Sequence, residues 1–114
     1  EDVLHSHASP RAAIGFLLRA ATIDGEEVGT RRNLSMPGLP VTVGEQIAAL
    51  RRVAGEVVVG RIRRAPDPFI AKIVAGWPSR TESKRALSLG FAGDRSFDDI
   101  VRAHIEDELG GRLA

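Results

Sequence analysis

The segment PRAAIGFLLRAATI, residues 10–23, constrains this chain more than any other. Ser9 can cap a helix, and Pro10 sits at the first helical position, where its missing N–H is not needed. The predicted helix runs from Pro10 to about Ile23. Its apolar residues are Ala12, Ala13, Ile14, Phe16, Leu17, Leu18, Ala20, Ala21 and Ile23, and Arg11 and Arg19 are its only charges. They cover most of the circumference. A helix apolar nearly all round is normally covered on more than one side. A chain of 114 residues holds one domain with one modest core, which struggles to supply that cover. The helix therefore asks for a neighbour.

The remaining elements follow from start and stop signals. Thr42 and Glu45 form a Thr-x-x-Glu capping box before a helix over about 43–53. Val43, Ile47, Leu50 and Ala54 line one face of it, and Gly55 stops it. Asp67 and Pro68 start PFIAKIVAGW, which Gly76 and Pro78 end. TESKRALSLGF is a short helix stopped by Gly90. Ser96 and Asp99 repeat the capping pattern before a last helix with a predicted buried stripe of Phe97, Ile100, Val101, Ile105 and Leu109, ended at Gly110. Residues 30–34 and 61–64 read as short strands, as does the segment holding His5 and His7. Residues 57–59 read as a helical turn or a strand, and MPGLP as a loop. The expected architecture is a helix-rich α/β lobe with about three short strands. These are too few for a complete sheet, so they would extend, or lie beside, a sheet supplied by something else.

Composition narrows the function. Net charge is +1, so nothing demands nucleic acid or an anionic membrane. No cysteine is present, which excludes disulfides, thiolate zinc sites and a cysteine nucleophile, and fits the cytoplasm. No apolar run nears the roughly 20 residues of a membrane span, and no signal peptide is visible. His5 and His7 share a strand face. Two ligands without a nearby carboxylate do not make a metal site, and polar residues facing a cleft fit them better. His104, beside Glu106 and Asp107, reads as surface. Arg61, Arg63 and Arg64 form the strongest charged feature; they either bind an anion or pair with nearby carboxylates. Arg31 and Arg32 have a weaker claim to an anion. Trp77 either covers a cleft or packs. The loop before the capping box is where function can enter. There is no Gly-x-Gly-x-x-Gly, no phosphate loop, no Ser/His/Asp set and no tyrosine.

Three segments together carry a resemblance: HASPRAAIGFLLRAA, RRNLSMPGLPVTVGEQIAALRRVAG, and the stretch from RIRRAPDPFIAKIVAGW through SFDDIVRAHIEDELGG. They resemble the C-terminal part of extended short-chain dehydrogenases/reductases, the NAD-dependent epimerase/dehydratase group, and within it the D-erythronate dehydrogenase branch. The resemblance covers essentially the whole chain. It implies a parent with an N-terminal Rossmann domain that binds NAD and carries a catalytic Tyr-x-x-x-Lys with a Ser or Thr. Residues 1–114 would then be the C-terminal substrate-binding lobe, with no catalytic or cofactor-binding residue of its own and no activity alone. Its first helix would pack on the absent Rossmann domain.

The resemblance also implies site residues. In sugar-nucleotide relatives an arginine before a Pro-Gly-Asp-like turn grips the substrate phosphate. RRAPDP resembles that turn, without its glycine, and places Arg64 or Arg63 in the role. A second substrate arginine is common before the first helix, but EDVLHSH has none. That departure favours a small sugar acid over a diphosphate and makes His7, Ser9 and Arg11 candidates to face the pocket, although Ser9 also reads as a helix cap. The alternatives are a lobe of a nucleotide-sugar epimerase or dehydratase, and a free-standing binding or dimerisation module. A homodimer is compatible with each.

Overall fold

The helices begin where short-range chemistry tells them to. In a computed structural model, which describes residues 1–113, Thr42 Oγ1 accepts from Glu45 N at 3.1 Å, and the Glu45 carboxylate accepts from Thr42 N at 2.6 Å. Both halves of the capping box are closed, and the backbone hydrogen bond from Thr42 holds the Glu45 carboxyl below its usual range. This starts α3 (Val43–Ala54), which ends at Gly55. Ser9 caps α1 (Pro10–Thr22), Asp67 caps α5 (Pro68–Val74) and Ser96 caps α7 (Phe97–Leu109). Gly110 closes α7 in the left-handed conformation (φ 60°), which a side chain would strain. Short turns α2 (Gly25–Val28), α4 (Glu56–Val59) and α6 (Lys84–Ser88) complete the helices.

The strands depart from expectation. Among the described residues there are two, β1 (Leu4–His7) and β2 (Leu39–Thr42), paired antiparallel from Leu4↔Thr42 to His7↔Leu39. Residues 30–34 are not a strand. The carbonyl of Asn33 accepts from Arg85 Nη1 at 3.3 Å, and the nearby Val28 carbonyl accepts from Arg85 Nη2, so a guanidinium holds this segment instead of a ladder. Residues 61–64 are not a strand either. The amides of Arg61 and Ile62 donate to Val58 and Val59 carbonyls and close the turn after α4. Residues 57–59 take the helical option. The second strand lies instead at the end of the MPGLP loop, where Pro40 is tolerated because the sheet has only two strands, both of them edges.

The core sits between α3 and α7. Ala49 (fully buried) and Ala103 let the two helices approach, with Ile47, Leu50 and Val101 half-buried around them. Arg52 ties the seam by donating Nη2 and Nε to the Asp98 carboxylate at 2.6 and 3.0 Å. The stripe on α7 is only half-buried, and Leu109 is exposed, contrary to expectation. Helix α1 contributes no buried residue, and Ile14, Leu17 and Leu18 are 57%, 72% and 65% exposed. The accessible surface is 8222 Å², against roughly 6,100 Å² expected for a self-contained protein of this mass. The radius of gyration is 16.6 Å, against roughly 13 Å for a compact domain of this length. The molecule is a slab 17 Å thick with one seam and two uncovered apolar elements, α1 and α5.

Candidate functional site

Strand β1 carries His5, Ser6 and His7 to one wall of an open cleft of about 430 Å³. Trp77, Pro78 and Thr81, from the segment after α5, form the other wall. The β1–β2 pairing sets the wall's position, and Gly38 allows it: a Cβ there would overlap Ser6 Oγ. The His5 ring meets Trp77 edge-on, centroids 5.7 Å apart, and lies 6.4 Å from His7. His7 meets Phe97 edge-on at 5.6 Å. Its Nε2 is 3.0 Å from Gln46 Nε2. An amide NH₂ only donates, so this arrangement assigns His7 Nε2 the acceptor role and the proton to Nδ1. Burial, and secondarily the charge of His5, pushes the His7 imidazole below its ordinary pKa. A neutral His7 and the Gln46 hydrogen bond support one another.

Among the sequence-predicted site residues, only His7 lines this cleft. Ser9 is buried, and its polar atoms are engaged within the chain: its N–H and Oγ–H donate to the Asp94 carboxylate at 2.7 and 2.6 Å, and Oγ accepts from Ala12 N. Arg11 lies against α7. Its Nε and Nη2 donate to Asp107 at 3.1 and 2.7 Å, and Nη2 reaches Glu106 at 3.1 Å. Those hydrogen bonds raise the Arg11 pKa, and the Asp107 carboxyl is correspondingly held low. Arg64 bridges to Glu1 at 2.6 Å, just ahead of β1. Arg63 is exposed on the following coil. No arginine lines the cleft among the described residues.

Sequence reasoning missed Gln46 and Phe97 as the partners of His7, and Asp94 as the partner of Ser9. Gln46 did carry a signal. It falls on the same stripe as Val43, Ile47 and Leu50, and a polar residue on an apolar stripe needs a hydrogen-bond partner.

The loop before α3 also lines a cleft. Arg31, Asn33 and Ser35 face Ser83, Lys84 and Arg85 across about 380 Å³. Its cations are partly committed, Arg85 to the loop carbonyls and Lys84 to Glu82 at 3.2 Å. Among the described residues, no three His, Asp or Glu side chains gather to hold a metal ion. No helix among them is long and apolar enough to cross a membrane.

Comparison with known proteins sets this geometry in a larger frame. No protein-family model matches the chain. It is 44% identical over 99 residues to a D-erythronate dehydrogenase of Cupriavidus necator, a match covering 87% of this chain and 31% of that protein. It is 30% identical over 102 residues to a D-erythronate dehydrogenase of Haemophilus influenzae, covering 90% and 32% respectively. The whole chain superposes on 33% of the crystal structure of a nucleoside-diphosphate-sugar epimerase from Agrobacterium tumefaciens, with a TM-score of 0.96 and 58% identity. The chain thus spans about a third of the length of the curated relatives it matches.

Proposed function

From this homology to one part of a dehydrogenase or epimerase, as the resemblance to extended short-chain enzymes implied, we propose that the chain is the C-terminal substrate-binding lobe of an NAD-dependent oxidoreductase. Its substrate is a small sugar acid of the D-erythronate kind. The observation that carries this is the 44% identity to a D-erythronate dehydrogenase across most of the chain. The cleft on β1 supports it: imidazoles and hydroxyls suit a hydroxylated ligand.

The residues of this chain do not fit NAD. The turns from β1 into α1 and from β2 into α3 are short caps on Ser9 and Thr42, with no glycine-rich phosphate loop. NAD belongs to a Rossmann domain elsewhere in the longer protein, where it supplies the hydride acceptor, and the base that takes the hydroxyl proton lies there too. This lobe binds, orients and excludes water. In this reading His7, as a neutral imidazole with its proton on Nδ1, donates to a substrate hydroxyl. Arg63 and Arg64 supply counter-charge to the substrate carboxylate, with Arg64 leaving Glu1 for the ligand. Ser9 and Arg11 hold the β1–α1 corner through Asp94 and α7, and so act on the pocket through position. The exposed face of α1 packs on the Rossmann domain, which accounts for an accessible surface about 2,000 Å² beyond that of a compact domain. By itself the lobe is inactive, and the longer protein works in the cytoplasm.

A second reading, a nucleotide-sugar epimerase lobe, is favoured by the description of the Agrobacterium protein. The lack of an arginine in EDVLHSH, just before the first helix, weighs against a diphosphate ligand. The test is an assay of the full-length protein. NADH absorbance should rise with D-erythronate and NAD⁺, and UDP-sugars should be left unchanged. Turnover of a UDP-sugar with no oxidation of any four-carbon sugar acid would overturn the dehydrogenase reading.

A further inference from the structure

Trp77 is not explained by packing within the chain. It is the single tryptophan, it is 60% exposed, and it lies just beyond α5 in a turn where its backbone N–H donates to the Val74 carbonyl at 3.0 Å. Pro78 follows and stiffens the turn. The exposed residues of α5, such as Phe69 and Ile70, lie outside the His5–His7 cleft, but Trp77 forms a wall of it and touches the His5 ring. Leaving so large an apolar ring in water forfeits the stabilisation its burial would supply. At a cleft wall, a ligand can supply that burial.

The other lining groups say which ligand. They are imidazoles and hydroxyls, with no fixed charge on the cleft wall. Imidazole and hydroxyl groups exchange hydrogen bonds with ligand hydroxyls. An indole face carries negative quadrupolar potential. It attracts C–H groups made electropositive by attached oxygens. A hydroxylated carbon chain presents both kinds of group at once, hydroxyls along one edge and C–H bonds along the other.

We propose that Trp77 is a specificity-determining residue: its indole packs on the C–H face of an open-chain polyhydroxy acid whose hydroxyls engage His5, His7 and Thr81. The inference rests on reading this cleft as the substrate site. It adds the element that selects a hydroxylated carbon chain over other small carboxylates of the same charge.

The experiment uses the full-length protein with Trp77→Ala and Trp77→Phe. Trp77→Ala should raise KM for D-erythronate tenfold or more, leave kcat within threefold and leave KM for NAD⁺ unchanged. Trp77→Phe, which keeps an aromatic face, should lose less than threefold. An unchanged KM for D-erythronate in Trp77→Ala, or a joint loss of kcat, NAD⁺ affinity and thermal stability, would overturn the proposal. A second measurement does not depend on the variant folding well or on turnover. In wild-type protein labelled with 5-fluorotryptophan, the Trp77 ¹⁹F resonance, assigned by its loss in Trp77→Phe, should shift saturably with sodium D-erythronate. It should stay still with acetate at the same concentration. A moving resonance without turnover of any sugar acid supports the ring contact and sinks the dehydrogenase reading. Turnover with a motionless resonance does the reverse.

Discussion

Helices α1 and α3 are nearly equal in length and equally well started, yet one is seated and the other bare. Helix α3 turns Ala49 fully inward against α7, with Ile47 and Leu50 half-buried beside it, Val43 exposed at its start and Arg52 pinned to Asp98. Helix α1 is fastened by its polar residues: Ser9 to Asp94, Arg11 to Asp107, and Arg19 Nε to the Leu89 carbonyl at 2.9 Å. Its apolar residues Ile14, Leu17 and Leu18 point away from the rest of the chain. A helix held by its charges with its leucines outside is oriented for a second surface. Capping decides where a helix begins, and burial is decided by what lies beside it.

The largest expected effect breaks that contrast directly. Leu17→Ala should change the unfolding free energy of the 114-residue chain by under about 0.5 kcal/mol, as for any exposed site. In the full-length protein it should cost about 2–5 kcal/mol if α1 packs on the Rossmann domain. Denaturant melts of both proteins decide it, and equal small effects would mean that α1 is not covered. Ala49→Leu should do the opposite. It overfills the α3–α7 seam and should destabilise both proteins by about 1–3 kcal/mol, read as a lower denaturation midpoint. A mutant as stable as wild type would show that the seam is loose.

The caps come next. Thr42→Ala should cost about 1 kcal/mol. Ser9→Ala should cost about 1–3 kcal/mol, because it removes a cap and also leaves the Asp94 carboxylate short of a partner. Equal losses in the two variants would show that the Asp94 contact adds nothing to the cap.

The smallest effect is one of pH. His7 is depressed in the folded state, so around and below the ordinary histidine value of 6.5 the unfolded chain binds more protons than the folded one. Stability should therefore fall as pH drops through 6.5 toward the folded pKa of His7, and level off below it. His7→Asn should flatten that slope, with midpoints compared at several pH values between neutrality and pH 5. A slope unchanged in His7→Asn would assign the dependence to another group. Asp98 and Asp107, held low by Arg52 and Arg11, act in a separate and more acidic window. Their contribution is present above the ordinary carboxylate range and lost as pH falls through their folded values. Both ion pairs lie at the surface, with Asp107 the more exposed of the two carboxylates, so high salt should weaken the Asp107 contribution more.

Most helix starts were legible in the chain, and the strands mostly were not. Residues 30–34 read as extended, but Arg85, far along the sequence, claims the Asn33 carbonyl. Strand β2 was hidden behind Pro37 and Pro40, whose usual meaning is loop. In the candidate site, His7 was legible as a strand-end polar residue. For Trp77 the sequence leaves both cleft cover and packing open, and its place on the cleft wall is a tertiary fact.

The four caps at Ser9, Thr42, Asp67 and Ser96 follow from the local sequence, as does the apolar circumference of α1, which has no buried residue. Each is settled by residues a few positions apart, and short-range hydrogen bonds and helical periodicity do not depend on the rest of the fold. Packing in three dimensions sets the long-range meetings: His7 with Gln46 across 39 residues, Ser9 with Asp94 across 85, and Trp77 with His5. Such pairings are set by how capped helices and two short strands pack in space, which no local pattern encodes.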